Sequence, residues 1–131
     1  GADGTAGPTI TMTDCCEGIE GATLNIYSGD ITINAADDCL NTANSDLSGY
    51  DFSINISDGT ITAYTSGGDG FDSNGDLNIS GGTVADNQPL DADGTIRITG
   101  GTVLYRRDSA LGIFAREMIR LVRETPWRPL L

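Results

Sequence analysis

Six aspartates recur in pairs beside single apolar residues. They are Asp37, Asp38, Asp69, Asp72, Asp91 and Asp93, and the apolar residues are Leu40, Phe71 and Leu90. Carboxylates and turn carbonyls are hard oxygen ligands of the kind that Ca²⁺ takes in sets of about six to eight. The chain has no His and only three Cys, which disfavours zinc. These aspartates therefore predict at least one Ca²⁺ site.

The alternative for these acids is purely structural, because single aspartates commonly cap backbone N–H groups in turns. Their recurrence at one register argues for the cation. Carboxylates stacked on neighbouring turns of chain repel each other, and a bound cation removes that repulsion.

The overall charge restricts the partners. The net charge is -12, and all seven basic residues are Arg. Such a surface repels nucleic acid and anionic membranes, and no apolar run is long enough to insert into a membrane. We also expect no catalysis, because a lyase needs a strong base near its metal. The chain has no Lys, and only Arg97, Arg106 and Arg107 precede residue 113.

Aromatic and sulfur side chains supply the remaining candidates. Tyr50 lies in an apparent loop insertion, and we predict that Tyr50 and Tyr64 bind a ligand, since an exposed ring can stack on a sugar. The alternative is that tyrosines only cover the side of the fold. Cys16 and Cys39 are close enough in the repeat to form a disulfide, while buried free thiols are the alternative.

The segments that would position these residues recur along the sequence as a repeat. Leu77 to Val84 reads LNISGGTV and Ile96 to Val103 reads IRITGGTV. Related copies begin at Leu24 and Ile54, so successive copies start 30, 23 and 19 residues apart. Alternating apolar and polar residues predict strands. A Gly-containing hairpin is one interpretation, but the repetition favours stacked coils in which the Gly pair marks a corner.

One apolar residue per coil forms an expected inward ladder. Its members are Ile19, Leu40, Phe71, Leu90 and Leu111. We therefore predict an all-β fold, a single-stranded parallel β-helix of about four to five rungs over residues 1–112. We take it to be right-handed because parallel crossover connections almost always are.

The amino-acid composition changes after Gly112. Residues 113–131 hold four of the seven Arg and no Gly, and their apolar spacing predicts an amphipathic helix that Pro126 ends. This helical tail could cap the open end of the β-helix, dock on an acidic partner, or be sequence foreign to the repeat, as after a truncation or frameshift.

The copies resemble a known family. The segments are GIEGATLNI, GDITINAADDCLNTA, GDGFDSNGDLNISGGTV and LDADGTIRITGGTV, within residues 9–112. They resemble the bacterial cell-surface carbohydrate-binding β-helix family, best known from the clostridial type that binds cellulose and pectin. The resemblance implies a right-handed β-helix, bound Ca²⁺, polysaccharide binding and export. The chain differs from that family in its few rungs and its tail.

Two functions follow as expectations. The first is an extracellular, calcium-binding module for plant cell-wall-type polysaccharide such as pectin or cellulose. The alternative is a structural or adhesive solenoid that assembles end to end into filaments, because both ends of a β-helix offer unpaired strand edges.

Overall fold

The computed structural model describes residues 6–107 and, in the tail, Gly112, Phe114 and Arg116. The fold of these residues is all-β, and every strand pairing is parallel. The pairings form three sheets, which we call sheets A, B and C. Within the described part of the chain, no helix is long and apolar enough to cross a membrane.

Successive strands enter the three sheets in turn. Sheet A contains β1 Thr9–Cys15, β4 Asp30–Ala35, β7 Thr60–Thr65, β10 Thr83–Asp86 and β13 Thr102–Tyr105. Sheet B contains β2 Ile19–Glu20, β5 Leu40–Thr42, β8 Phe71–Ser73 and β11 Asp91–Ala92. Sheet C contains β3 Thr23–Ile26, β6 Ser53–Ile56, β9 Asp76–Ile79 and β12 Ile96–Ile98. Each strand pairs with the strand three places later, and we call each set of three consecutive strands a rung.

The repeated phrase is aligned from rung to rung. Leu24 pairs with Ile54, Ile54 with Leu77, and Leu77 with Ile96. The two strands that flank each Gly corner belong to different sheets, C and A, so they do not form a hairpin. The predicted parallel stacking of the copies is therefore confirmed.

The glycine corner explains why the phrase keeps its second Gly. Gly29, Gly59, Gly82 and Gly101 all have positive φ, between 78° and 116°. A Cβ on Gly82 would also lie 2.6 Å from the carbonyl oxygen of Gly59 on the rung below. A side chain is thus excluded here both by the backbone conformation and by the close stacking of corners.

The core lies between the three sheets. Sheet B contributes the predicted ladder, in which Ile19 pairs with Leu40 and Leu40 with Phe71, while Leu90 packs against the same cluster. Leu40 and Phe71 are fully buried. Leu111, the last predicted member, lies outside the described residues.

The tail contacts a face of the fold. Phe114 is fully buried against Tyr64, Ala85 and Leu104. These three residues alternate with the inward residues Ala63, Val84 and Val103, so they point out of sheet A. Phe114 therefore covers the outer face of sheet A. The predicted helix and the predicted boundary at residue 112 otherwise fall on residues outside those described.

Candidate functional site

Three aspartates of the second and third rungs come together beside sheet B. Asp38 lies on the turn before β5, Asp69 lies on the turn before β8, and Asp72 is the middle residue of β8. In β8 the flanking Phe71 and Ser73 are buried, so alternation directs Asp72 outward. We call Asp38, Asp69 and Asp72 the aspartate cluster.

The aspartate cluster has the spacing of a cation site. One carboxylate oxygen from each residue lies within 4.8 Å of the others. Oxygens that share one Ca²⁺ at about 2.4 Å each can be at most about 4.8 Å apart. The spacing of the three partly buried carboxylates therefore allows them to contact one Ca²⁺ together.

The register explains why the carboxylates cluster here. Asp72 pairs with Asp91 above it and with Asn41 below it. From the second rung, the Asn41 amide donates to two acids of the first rung, to Glu17 Oε2 at 3.2 Å and to Glu20 Oε1 at 3.4 Å. These hydrogen bonds reduce the repulsion between the acids of the first rung. Among the described residues, the aspartate cluster has no such amide and contains only carboxylates.

The electrostatics of the cluster favour a cation. Burial, and then the charge of Asp91, raises the pKa of Asp69 to about 6. Burial, and then the charge of Asp38, raises the pKa of Asp72 to about 6. Burial also raises the pKa of Asp38, although the Asp69 N–H, which donates to Asp38 Oδ1 at 2.8 Å, partly lowers it. A divalent ion would relieve this repulsion between carboxylates.

A fourth carboxylate lies inside the fold. Asp86 pairs with Ala63 at an inward position of sheet A and is only 1% exposed. Its Oδ1 accepts from Gln88 N–H at 3.0 Å, while its Oδ2 has no hydrogen-bond partner among the described residues. The carboxylate packs on Gly70, where a Cβ would overlap it. Burial raises the pKa of Asp86 to about 7, and the charge of Asp69 adds to the rise.

Asp86 was missed in the sequence. Aligning the copies would have indicated it, because the carboxylate stands where the two preceding rungs of sheet A carry Ile33 and Ala63. A polar residue at a strictly inward position is the signal.

A second concave surface lies on the outer side of sheet C. Its volume is about 420 Å³, and Tyr50, Asn55, Asp76 and Asn78 are among its lining residues. Tyr50 is 57% exposed and its ring lies 6.2 Å from that of Phe52. The loop between β5 and β6 thus places an exposed ring beside amide side chains, and ligand binding by Tyr50 stays a prediction.

Comparison with protein families identifies a family for this chain. A family model described as a carbohydrate-binding domain-containing protein matches residues 5–86, more than half of the chain. The chain belongs to this carbohydrate-binding domain family. No curated protein and no solved structure matches the chain. The matched stretch of the carbohydrate-binding domain includes the aspartate cluster and the sheet C surface.

The other predicted acids, Asp37, Asp91 and Asp93, surround the aspartate cluster unevenly. The charge of Asp91 raises the pKa of Asp69, and the charge of Asp37 raises the pKa of both Asp38 and Asp69. Asp93 follows the end of β11, where its N–H donates to Ser73 O at 2.9 Å. Asp93 makes no interaction with the aspartate cluster in the described part of the chain.

The structure contradicts the prediction that Tyr64 binds a ligand. Its side chain is only 7% exposed and its ring packs against Phe114, with centroids 5.8 Å apart. A ring covered in this way cannot stack on a sugar. Tyr64 therefore contributes to the carbohydrate-binding domain by packing, and the prediction that it binds ligand was wrong.

The structure also contradicts the predicted disulfide between Cys16 and Cys39. Cys16 and Cys39 are both free thiols. Cys16 is exposed, whereas Cys39 is fully buried and donates from Sγ to Tyr64 O at 3.2 Å. Burial raises the pKa of Cys39 to about 12. The buried-thiol alternative therefore holds for Cys39.

Proposed function

We propose that the chain is an extracellular, calcium-binding carbohydrate-binding module for plant cell-wall-type polysaccharide such as pectin or cellulose. The observation that carries the calcium part is the aspartate cluster, whose three carboxylates lie within 4.8 Å of one another. The family match supports carbohydrate as the ligand class. Calcium would connect the two properties, since an ion held by protein carboxylates can also accept the carboxylate of a uronic acid.

We also infer that the three parallel sheets form a right-handed β-helix. The regular pairing of each strand with the strand three places later supports the helix. Its hand is inferred from the strong right-handed bias of parallel crossovers. In such a helix, each additional rung extends every outer face by about 4.8 Å, which suits a long polymer better than a small ligand.

Substitutions in the aspartate cluster test the calcium site. Asp69→Asn and Asp72→Asn remove charge with little change in shape, and Asp58→Asn is the matched control on an exposed turn. With free Ca²⁺ at about a hundred times its Kd, one site adds about 2.7 kcal/mol of stability. Thermal melts with Ca²⁺ and with chelator should show a shift in the unsubstituted chain and in Asp58→Asn, and little or none in the cluster variants.

An equal Ca²⁺ shift in all variants would place the ion elsewhere, and no shift in any would remove the calcium proposal. Retention on pectin and cellulose, each with Ca²⁺ and with chelator, tests the polysaccharide part. If neither polymer retains the chain under either condition, the proposed ligand class is wrong.

We propose binding without catalysis. Arg97, which replaces Asn78 one rung later, is the natural candidate for a lyase base. Its Nη1 lies 3.8 Å from Asp76 Oδ2 on sheet C, whereas the aspartate cluster lies beside sheet B. Incubation with polygalacturonate and Ca²⁺ should give no unsaturated product, and growth of its ultraviolet absorbance would contradict this proposal.

End-to-end assembly is the second candidate function. The first rung borders an apolar hollow of about 340 Å³ lined by Ile10, Ile19, Leu24 and Ile26, among others. On the fourth rung, Ile96 and Ile98 are 41% and 38% exposed. Two apolar ends with parallel strand edges could stack head to tail. Concentration-dependent sedimentation and filaments in electron micrographs would support this candidate, and a strictly monomeric chain would remove it.

A further inference from the structure

The outer face of sheet C carries asparagine at one register on three successive rungs. Asn25 pairs with Asn55, and Asn55 pairs with Asn78. The side chains bond to each other, because Asn55 Nδ2 donates to Asn25 Oδ1 at 3.0 Å and Asn78 Nδ2 donates to Asn55 Oδ1 at 2.8 Å. We call Asn25, Asn55 and Asn78 the asparagine ladder.

The asparagine ladder fixes its amides but leaves bonding capacity mainly at Asn78, because Asn55 uses both Nδ2 protons, on Asn25 Oδ1 and on Ser53 Oγ at 3.0 Å. Each amide has two N–H donors and an oxygen that accepts two bonds. Asn78 Oδ1 accepts no hydrogen bond from the described residues, and only one of the two Nδ2 protons is needed for the bond to Asn55. Asn78 therefore presents an oriented donor and acceptor to the surface at little further cost in entropy.

The loop before β6 adds an aromatic wall beside the ladder. Tyr50 is 57% exposed, and its ring is supported by Phe52 at 6.2 Å and a tilt of 38°. Gly75 lets the loop backbone pack closely beside the cleft, because a Cβ there would collide with the carbonyl oxygen of Phe52. The resulting cleft has a volume of about 420 Å³, within the usual range for small-molecule subsites.

The charges of the cleft restrict its ligand. Asp51 and Asp76 both line it, and Asp76 is partly offset by Arg97 at 3.8 Å. Carboxylates accept hydrogen bonds from sugar hydroxyls but repel uronate groups. An exposed tyrosine ring, fixed amides and acceptor carboxylates together fit an uncharged sugar ring, whose apolar face can stack while its hydroxyls bond.

We infer that this cleft, formed by Tyr50, Asn55, Asn78 and Asp76, is a subsite for a neutral hexose polysaccharide. The ladder runs across the strands with a spacing of about 4.8 Å, similar to the length of one sugar ring along a glycan. The inference rests on the proposed polysaccharide-binding function and specifies its ligand on this surface. Because the aspartate cluster lies beside sheet B, neutral-glycan binding in the cleft needs no Ca²⁺.

The test uses calorimetry of the whole chain with a soluble cello-oligosaccharide as the neutral probe and an oligogalacturonate as the acidic probe. Tyr50→Ala should weaken binding of the neutral probe about ten-fold, since stacking of this kind is worth about one power of ten in affinity. Asn78→Ala should weaken it several-fold. Tyr27→Ala is the matched control, because Tyr27 is equally exposed but lines the hollow at the first rung. Chelator should leave binding of the neutral probe unchanged.

The outcomes separate this inference from the proposed function. Neutral binding that survives both Tyr50→Ala and Asn78→Ala overturns the cleft but leaves the proposed function intact. Oligogalacturonate binding that is stronger than neutral binding and is lost in Tyr50→Ala overturns the ligand class. Failure of both probes, with and without Ca²⁺, overturns the inference together with the proposed function. Melting curves check that each variant is folded, which the exposed position of Tyr50 favours.

Discussion

At the scale of single residues, the fold keeps carboxyl groups in places where their charge is unfavourable. Asp69 and Asp72 share the aspartate cluster, and Asp86 is buried with one oxygen that has no hydrogen-bond partner among the described residues. Their pKa values rise to about 6, 6 and 7. Carboxyl groups with strongly raised pKa values are concentrated at functional sites, including sites where a bound cation neutralises them.

These raised pKa values predict a pH dependence of stability in the presence of chelator. In the unfolded chain an aspartate has a pKa of about 3.9. Between pH ~4 and ~7 the folded state therefore binds more protons than the unfolded state, and the free energy of unfolding falls as pH rises. The melting temperature should be highest near pH 4.5 and lowest above pH ~7. A melting temperature that rises across this window would contradict the assigned environments.

The Asp86→Asn variant isolates the buried carboxylate. At pH 8 the substitution removes a buried charge, and we expect it to stabilise the chelated protein by about 2 kcal/mol after the cost of an unpaired amide is subtracted. At pH 4.5 the gain should vanish, because Asp86 is then protonated. Melting curves at both pH values measure this, with Asp58→Asn as the exposed control. A gain of equal size at both pH values would show that charge is not the cause.

At the scale of elements, the corners between sheets C and A depend on glycine. Gly82 has φ of +78°, and its Cα faces the Gly59 carbonyl of the rung below. This tight corner joins strand β9 of sheet C to strand β10 of sheet A.

Comparing Gly82→Ala with Gly49→Ala separates backbone strain from steric contact. Gly49 has a similar φ of +79°, but a Cβ there would meet nothing within 4 Å. Gly49→Ala should therefore cost only the strain, about 1–2 kcal/mol. Gly82→Ala adds a backbone clash and should cost about 3 kcal/mol or more. Urea denaturation measures both, and equal losses would mean that the corners do not stack closely in solution.

Many features of the strands and corners could be predicted from the sequence. The alternation in Leu77-Asn78-Ile79 and the Gly-Gly phrase gave the strands, corners and register, because each rung meets a nearly identical rung. The environments of Tyr64 and Cys39 could not be predicted. Phe114, distant in sequence, covers Tyr64, and Cys39 lies at a corner, where strict alternation no longer tells inward from outward.

At the scale of the whole molecule, negative charge is in large excess. The net charge is -12 at neutral pH, and acids recur on every complete rung. Self-repulsion of this size destabilises the compact state.

Added salt should therefore stabilise the chelated protein. Raising NaCl from about 0.01 M to about 0.5 M shortens the Debye length from ~30 Å to below ~8 Å and screens repulsion between rungs. We expect the melting temperature to rise with salt in chelator, and to rise less with Ca²⁺ bound. A salt response that is the same in both conditions would argue that the repulsion is spread over the surface and not concentrated in the aspartate cluster.

The sequence by itself determined the all-β class, the repeat, the parallel register and the acids that line sheet B, because these follow from periodicity and from neighbours one rung apart. The tertiary structure decided which carboxylates meet, since Asp38 comes from the turn before β5, Asp69 and Asp72 come from the turn before β8 and from β8 itself, and Asp93 does not join them. It also decided that Asp86 is buried, that Phe114 covers Tyr64, and that the β5–β6 loop brings Tyr50 beside the asparagine ladder. Periodicity specifies the side of a strand on which a residue lies, but not what a loop or a distant segment places over that side.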